Sequence, residues 1–269
     1  IPFRRVCGPA QRDAAVEPDL TPDGERAMTV DLLTKMGRHV AMAAFVLPEP
    51  ATPHGVVNNG TASFLELPGG KFIVTNHHVW DAYEQQRSET PGLRLAVMGE
   101  GYTQPVDIST AELVDSDEGM DLAVLKFEAT DVIESVGKSF HVPKRWPLTV
   151  AAEGEDVVLV GFPGHRKEPT TEFLRFESFL LGLKVLAVSD RKYLLGFTNP
   201  EPIIQQFTPR PMEKFVWGGM SGSMAYRLDL ETNQFHVAGF LHAAGEGLQA
   251  SFFAGRADCL REDGTIRRG

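Results

Sequence analysis

Ala62-Ser63-Phe64-Leu65-Glu66-Leu67-Pro68-Gly69-Gly70-Lys71-Phe72-Ile73-Val74-Thr75-Asn76-His77-His78 is two short apolar runs around a turn, followed by a polar cluster. The turn Leu67-Pro68-Gly69-Gly70-Lys71 supplies glycine where a hairpin needs positive φ. Working outward, strand-sized apolar or alternating runs recur at Val40–Leu47, Leu93–Met98, Ala111–Val114, Leu122–Phe127 and Val157–Gly161. They continue at Phe173–Val188, Tyr193–Phe197, Ser223–Asp229 and Phe235–Leu241. Proline, glycine and asparagine turns separate them. Only one helix signal stands out: Thr21 as cap, Pro22 at the first helical position, Val30, Leu33 and Met36 in spacing, and Gly37 as terminator. It predicts a helix over Asp23–Met36, after an extended lead-in from residue 1 to about 20. Many short strands and one early helix predict an all-β fold.

Periodicity lapses between Glu128 and Glu153, where Pro143, Pro147 and several charges gather. That places a linker at 128–152 between two antiparallel β-barrels, at about 38–127 and about 153–257. An N-terminal extension with the helix, 1–37, and a C-terminal tail, 258–269, flank them. Hydrophobic residues make up 42% of the chain and charged residues 23%, a balance that suits a folded domain rather than a disordered one. The formal charge of −10 repels a polyanion, so a nucleic-acid partner is not expected. Cys7 and Cys259 form neither a disulfide framework nor a Cys-x-x-Cys spacing, and read as two reduced thiols. No stretch nears the roughly 20 apolar residues that span a bilayer, and the first residues hold no signal-peptide core. No membrane association and a cytoplasmic location are expected. No metal-ligating cluster or cofactor motif is present, so no metal and no cofactor are expected.

Three frames carry chemistry: Thr75-Asn76-His77-His78-Val79, Gly119-Met120-Asp121-Leu122-Ala123-Val124-Leu125 and Gly218-Gly219-Met220-Ser221-Gly222-Ser223. A serine hydroxyl is a weak nucleophile at neutral pH and needs a base whose pKa lies near the working pH. His78 suits that role. The imidazolium it becomes needs a carboxylate to orient and stabilise it, and Asp121 heads an apolar run that would hold it at a barrel end. Asp115, Asp117 and Glu118 are read as a charged turn, and His77 as a structural or exposed neighbour in a strand turn. Small residues around Ser221 let the chain turn sharply and let a carbonyl approach the backbone.

In these frames the chain resembles the trypsin-like serine peptidases of the chymotrypsin fold, especially compact bacterial members, over roughly residues 40–256. Thr75-Asn76-His77-His78 is similar to the Thr-Asn-x-His of the high-temperature-requirement branch. His78 and Asp121 lie 43 residues apart and Asp121 and Ser221 lie 100 apart, against about 45 and about 93 in the family template. The resemblance implies two six-stranded barrels and endopeptidase action on a protein or peptide substrate through an acyl-enzyme. His78, Asp121 and Ser221 would be catalytic, with an oxyanion hole from the Gly219 and Ser221 amides. Met220 departs from the pattern. Relatives activated by a freed N-terminus carry an aspartate there, so Ile1 is not expected to insert, and the oxyanion loop is expected to form constitutively or through a partner. The specificity pocket maps onto Phe215 as base and His242, Ala243 and Ala244 as wall, which favours a small or medium apolar side chain. His242 follows Gly239 by three residues, where glutamate-specific relatives have two, and so lies on the opposite strand face. It either hydrogen-bonds Asp121 from behind, receives a substrate Glu, or is structural. Gly161-Phe162-Pro163-Gly164-His165-Arg166-Lys167 is read as a solvated hairpin or a substrate-contacting loop. Only 48 residues follow Ser221, too few for a PDZ module.

Rival chemistries fit less well. An α/β-hydrolase needs Ser before Asp before His and a Gly-x-Ser-x-Gly elbow, and Ser223 stands where its last glycine belongs. A zinc hydrolase needs His-Glu-x-x-His or a comparable cluster, which is missing. The alternative to an enzyme is a catalytically silent binding module on the same fold. Residues 1–37 are expected to serve as a docking or inhibitory element for a regulatory protein partner.

Overall fold

The computed structural model describes residues 31, 34–47, 56–99, 105–163, 168–169, 174–175, 178–197, 204–205, 217–229, 232, 234–245 and 251–268. Strands β1 (Val40–Val46), β2 (Val56–Leu67), β3 (Gly70–Thr75), β4 (Arg94–Met98), β5 (Val106–Asp107), β6 (Glu112–Asp117) and β7 (Leu122–Lys126) form one antiparallel sheet. Their order is β5-β4-β1-β2-β3-β7-β6. The quoted hairpin is the β2–β3 turn, with Leu67 opposite Gly70 and Gly70 at φ 136°, which only glycine adopts readily.

The second half contains β8 (Asp156–Gly161), a small sheet of β9 (Glu168–Pro169) and β10 (Leu174–Arg175), then β11 (Phe179–Val188), β12 (Lys192–Gly196) and β13 (Ile204–Gln205). Strands β14 (Met224–Asp229), β15 (Gln234–Ala244) and β16 (Phe252–Arg256) complete it. The order β12-β16-β15-β14-β8-β11 closes on itself because β11 also pairs β12, which makes a six-stranded barrel; β13 adds to the free stretch of β11. The all-β expectation holds.

Alternation along the strands builds three cores. In β1, Ala41, Ala43 and Phe45 point into the first half, while Val40, Met42, Ala44 and Val46 point away from it. In β8, Val157 and Leu159 point into the second barrel, while Val158 and Val160 point outward. The two outward faces meet in one seam, with Leu65, Phe72, Val124, Tyr226 and Phe240 also in it. Strands buried on both faces therefore read as continuous apolar runs, and each fully buried Leu, Val or Phe contributes about 1.5–3 kcal/mol.

Two parts of the sequence fold otherwise than expected. His77 does not lie in a strand turn: it opens a helix, His77–Glu89, that buries Val79 and Tyr83 one turn apart. Asp115 and Asp117 are not in a solvated turn: both are on β6, and Asp117 is 8% exposed. The expected helix Asp23–Met36 lies largely outside the described residues; within them Asp31 and residues 34–37 are helical, with Lys35 Nζ 2.5 Å from Asp31. In the linker, a helix Thr130–Glu134 sends Ile133 into the first core, joined by Val136 and Phe140. The tail returns to the first half, where Gly69 donates to the Glu262 carbonyl (2.8 Å), Ile266 donates to Asp115 Oδ2 (2.9 Å), and Ile266 is buried in the seam. Cys259 is buried and unpaired, and Cys7 lies outside the described residues. Among the described residues no helix is long and apolar enough to cross a membrane.

Candidate active site

The helix His77–Glu89 begins at Asn76, whose side chain makes no cap bond to its own helix. The first N–H groups of a helix need acceptors, and the end carries partial positive charge. Asp121 meets that need from outside. Its Oδ1 accepts from the His78 amide at 2.9 Å, and its Oδ2 lies 2.7 Å from His78 Nδ1 and accepts from Asn76 Nδ2 at 2.8 Å. Burial alone would raise the Asp121 carboxyl. The bonds from the His78 ring, the His78 amide and Asn76 outweigh it and hold the pKa down at about 2. Asp121 is therefore ionised at neutral pH, and the imidazole keeps its proton on Nδ1. That leaves Nε2, on a side chain 54% exposed, as the basic nitrogen.

Asp121 has φ 50°, the one left-handed non-glycine residue among those described. That conformation is costly for an L-residue and persists only where surroundings over-determine it. Here its own amide bonds the Glu118 carbonyl (3.0 Å), and the Met120 amide bonds Asp117 Oδ1 (2.7 Å).

The Ser221 loop docks its backbone on β2, the partner of the β3 strand that runs into the His78 helix. Thr61 donates its amide to the Ser221 carbonyl at 2.7 Å, and the neighbouring Gly60 touches both sides: a β-carbon there would stand 3.0 Å from Val79 and 3.4 Å from the Ser221 carbonyl. The Thr61 hydroxyl donates to the Gly219 carbonyl (2.9 Å) and accepts from the Phe162 amide (3.1 Å). Ser63 donates to the Gly222 carbonyl at 2.7 Å. Gly222, at φ 90°, has no room for a side chain, since a β-carbon would come within 2.1 Å of the Thr61 carbonyl. From the second barrel, Gly222 donates to the Leu241 carbonyl (2.9 Å) and Ser223 to the Met220 carbonyl (2.9 Å). Among the described residues, the Gly219 and Ser221 amides donate to no protein acceptor.

Met220 is fully buried in the second core with Trp217, and its Sδ lies 3.8 Å from the Ser223 hydroxyl. An apolar anchor thus occupies the place where a carboxylate would need an ammonium. Gly161 and Phe162 are not part of a solvated hairpin: Phe162 is buried, and a β-carbon on Gly161 would come within 1.8 Å of the Ser223 hydroxyl. Residues 164–167 lie outside the described residues.

The other expected site residues fare differently. His77 pairs with Asp81 at 3.1 Å, away from Asp121. His242 sits at a β-bulge, between Leu241 and Ala243 in the pairing with β16, and its ring lies 6.1 Å from Phe253. Burial first, with Lys192 and His78 adding and Asp121 opposing, holds its pKa at about 4, so the ring is neutral at neutral pH. Among the described residues its buried Nε2 finds no partner, and the expected hydrogen bond to Asp121 is not made. Ala243 is exposed and Ala244 partly buried. Phe215 lies outside the described residues. Among the described residues no group of three or more His, Cys, Asp or Glu could hold a metal ion.

Asn76, Thr61 and Ser63 were not singled out from sequence. A signal for the last two existed: they continue, at period two, the face of Leu65 and Leu67, so a polar pair stands where alternation calls for apolar residues. Replacing Thr61 by Val is expected to orphan the Gly219 carbonyl and the Phe162 amide at once. Since an unsatisfied buried group costs about 1–3 kcal/mol, the loss of stability should reach about 2 kcal/mol or more, measured as a lowered urea midpoint.

No family model matches the chain, and no curated protein matches it. Solved structures do. The structure of Deg5 matches with TM-score 0.51 at 18% identity, covering 89% of this chain and 92% of that one. The thermostable serine protease AL20 from an extremophilic microorganism matches with TM-score 0.46 at 11% identity, covering 83% of this chain and 92% of that one. At such identity the likeness is one of fold. With the closed six-stranded barrel, the seven-stranded companion sheet and the seam between them, this chain has the chymotrypsin-like two-barrel fold.

Proposed function

We propose that the chain is a serine endopeptidase that hydrolyses peptide bonds through an acyl-enzyme. The observation that carries this is the Asp121 carboxylate, bonded to the ring and amide of His78 and to Asn76, beside a serine loop docked on the adjoining strand. His78 Nε2 takes the Ser221 hydroxyl proton as Oγ attacks the substrate carbonyl carbon. Asp121 stays ionised and holds the imidazolium that results. The Gly219 and Ser221 amides stabilise the oxyanion, a contribution of about 2.7–4 kcal/mol per donor in comparable sites. The imidazolium then protonates the leaving amine, and water, deprotonated by the same nitrogen, releases the acyl group. The buried Met220 supports a loop that forms without an inserted N-terminus.

The substrate is a protein or peptide, with a small or medium apolar residue before the cleaved bond, received in a slot near Ala243 and Ala244 with Phe215 at its base. A His242 that is neutral at neutral pH lacks the positive charge that capture of a substrate carboxylate would use. Residues 1–37 would engage a regulatory partner. The full chain and a version beginning at Arg38 should then differ in peptide hydrolysis.

A fluorophosphonate probe tests the central claim. The wild-type chain should be labelled and Ser221→Ala should not. A folded wild type that resists labelling between pH 6 and 9 is instead a binding module with a silent site. Cleavage profiling on a diverse peptide library, with Ser221→Ala as control, reads the preferred side chain, and a preference for Glu would return His242 to the pocket.

A further inference from the structure

The strained turn that presents Asp121 belongs to the first half, yet its fastenings come from the second. Asp117, at the end of β6, accepts the Met120 amide on Oδ1, and its Oδ2 is held by the guanidinium of Arg191. Arg191 lies at the tip of the β11–β12 hairpin, across the seam. The tip is itself fixed: the Ser189 amide bonds the Lys192 carbonyl (2.9 Å), the Lys192 amide bonds the Ser189 hydroxyl (3.0 Å), and the Arg191 carbonyl accepts from the Arg256 amide (2.8 Å). Arg256 in turn bonds the Ser189 carbonyl at 2.7 Å and forks onto Asp258 at 2.9 and 2.8 Å. The next residue of the turn is clamped as well. Met120 is fully buried, and a β-carbon on Gly255 of β16 would come within 2.9 Å of its Cε. Arg268 of the tail bonds Asp115 at 2.5 Å and lies 4.0 Å from Asp117, on the same side.

We propose that Arg191 is a positioning residue for Asp121, acting across the seam through Asp117 and the Met120 amide. The chain of contacts is short. Arg191 orients the nearly buried Asp117 carboxylate, Asp117 fixes the Met120 amide, and residues 118–121 then close into the turn that forces Asp121 to φ 50°. In that conformation both Asp121 oxygens meet their three donors. A buried carboxylate that loses its cation must move toward water or take up a proton, and either movement withdraws the acceptor from the Met120 amide. This inference rests on the assignment of His78, Asp121 and Ser221 as one catalytic site, and its consequence is a misaligned His78 rather than a lost binding contact.

The test uses the full chain with Arg191→Met, Arg191→Lys and, as a control ion pair of the same barrel, Arg227→Gln, which releases Glu155 (2.9 Å). Three quantities are read: the rate of fluorophosphonate labelling, kcat and KM on fluorescein-labelled casein, and the far-downfield proton resonance of His78 Nδ1–H against Asp121. Arg191→Met should slow labelling and lower kcat about 10–100-fold with KM within about 3-fold, the range typical of losing a supporting contact, and should broaden or shift the proton signal. Arg191→Lys, which can still reach one carboxylate oxygen, should recover to within about 5-fold of wild type. Arg227→Gln should behave as wild type. If Arg191→Met does not fold, Arg191→Gln, which keeps a donor without charge, should show a fall of about 5-fold or more. A folded Met or Gln variant with wild-type labelling and an unshifted proton overturns the proposal. A wild type that shows the proton signal but neither labels nor cleaves overturns the peptidase assignment instead, because the resonance reports the His78–Asp121 geometry without any reaction.

Discussion

On the proposed roles, Asp121→Asn is expected to lower kcat about 10⁴-fold and Ser221→Ala about 10⁶-fold, sizes known from serine hydrolases with a Ser-His-Asp triad. The reason for the first lies in the donors around Asp121. Three N–H groups converge on its two oxygens, from the His78 ring, the His78 amide and Asn76. An asparagine has one oxygen and one NH2. With its oxygen toward the His78 amide, the NH2 faces the ring nitrogen, and His78 must give up its Nδ1 proton and carry it on Nε2, where it cannot receive the serine proton. With the oxygen toward the ring, two donors collide at the helix start and the turn is pushed open. Both outcomes remove the base without removing the binding surface, so KM should move little. The double variant Asp121→Asn/Ser221→Ala should be no slower than Ser221→Ala, since the two act as one unit. Steady-state rates on labelled casein decide it, and an Asn variant within tenfold of wild type would sink the assignment of Asp121.

Acid should unfold the protein well before it neutralises the dyad. At the seam, the His39 and His141 rings lie 5.0 Å apart, both pack against Phe235, with His141 5.5 Å from it, and His236 lies near enough to act on the charge of His141. Burial, then the charges of His39 and His236, hold His141 down at about 3. His39 is lowered by burial, against its bond to the Ser139 carbonyl, with Arg38 and Lys138 adding. His236 is lowered by burial with Arg145, Arg227 and Lys144, against Asp229. The sign follows from which state binds the proton. The unfolded chain protonates these three near pH 6.5, while folding lowers them all and holds His141 at about 3, so the stability His141 contributes is full above about 6.5 and drains as pH falls toward 3. For His141 the whole loss is on the order of 5 kcal/mol, a large share of the roughly 5–15 kcal/mol a domain has. Asp121 acts in a separate window, adding stability above its ordinary 3.8 that is lost as pH falls through about 2. Urea midpoints at pH 7.5, 6, 5 and 4 should fall steadily for wild type, and His141→Phe should remove about half of that slope. An unchanged slope in His141→Phe would refute the account.

Much of this was written locally in the sequence, and what was not has a common cause. Strands whose two faces meet two cores appear as apolar runs, as in Val40–Val46 and Val157–Gly161, and turns such as Leu67-Pro68-Gly69-Gly70-Lys71 mark their ends. His78, Asp121 and Ser221 each stand in a local frame, so their roles could be proposed from those frames alone. The helix His77–Glu89 escaped because it buries only Val79 and Tyr83, too few to show a period against a polar surface. Thr61, Ser63 and Arg191 escaped for a different reason. Their partners lie 158, 159 and 74 residues away, and no pattern within a strand names a partner at that separation. Asp117 looked like one of several charges in a turn, and only the approach of Arg191 distinguishes it from Glu118.

The docking of the serine loop on Thr61 and Ser63 has a consequence for the newborn chain. The second half emerges from synthesis last and contains Ser221, the proposed nucleophile, but the carbonyls of Gly219, Ser221 and Gly222 all accept from donors of the first half. Neither half by itself holds an aligned nucleophile and base. Under the proposed function, the geometry that cuts a neighbouring polypeptide comes into being only when the two halves have closed on each other, so the last step of folding would also arm the molecule, and a half-made copy would stay harmless.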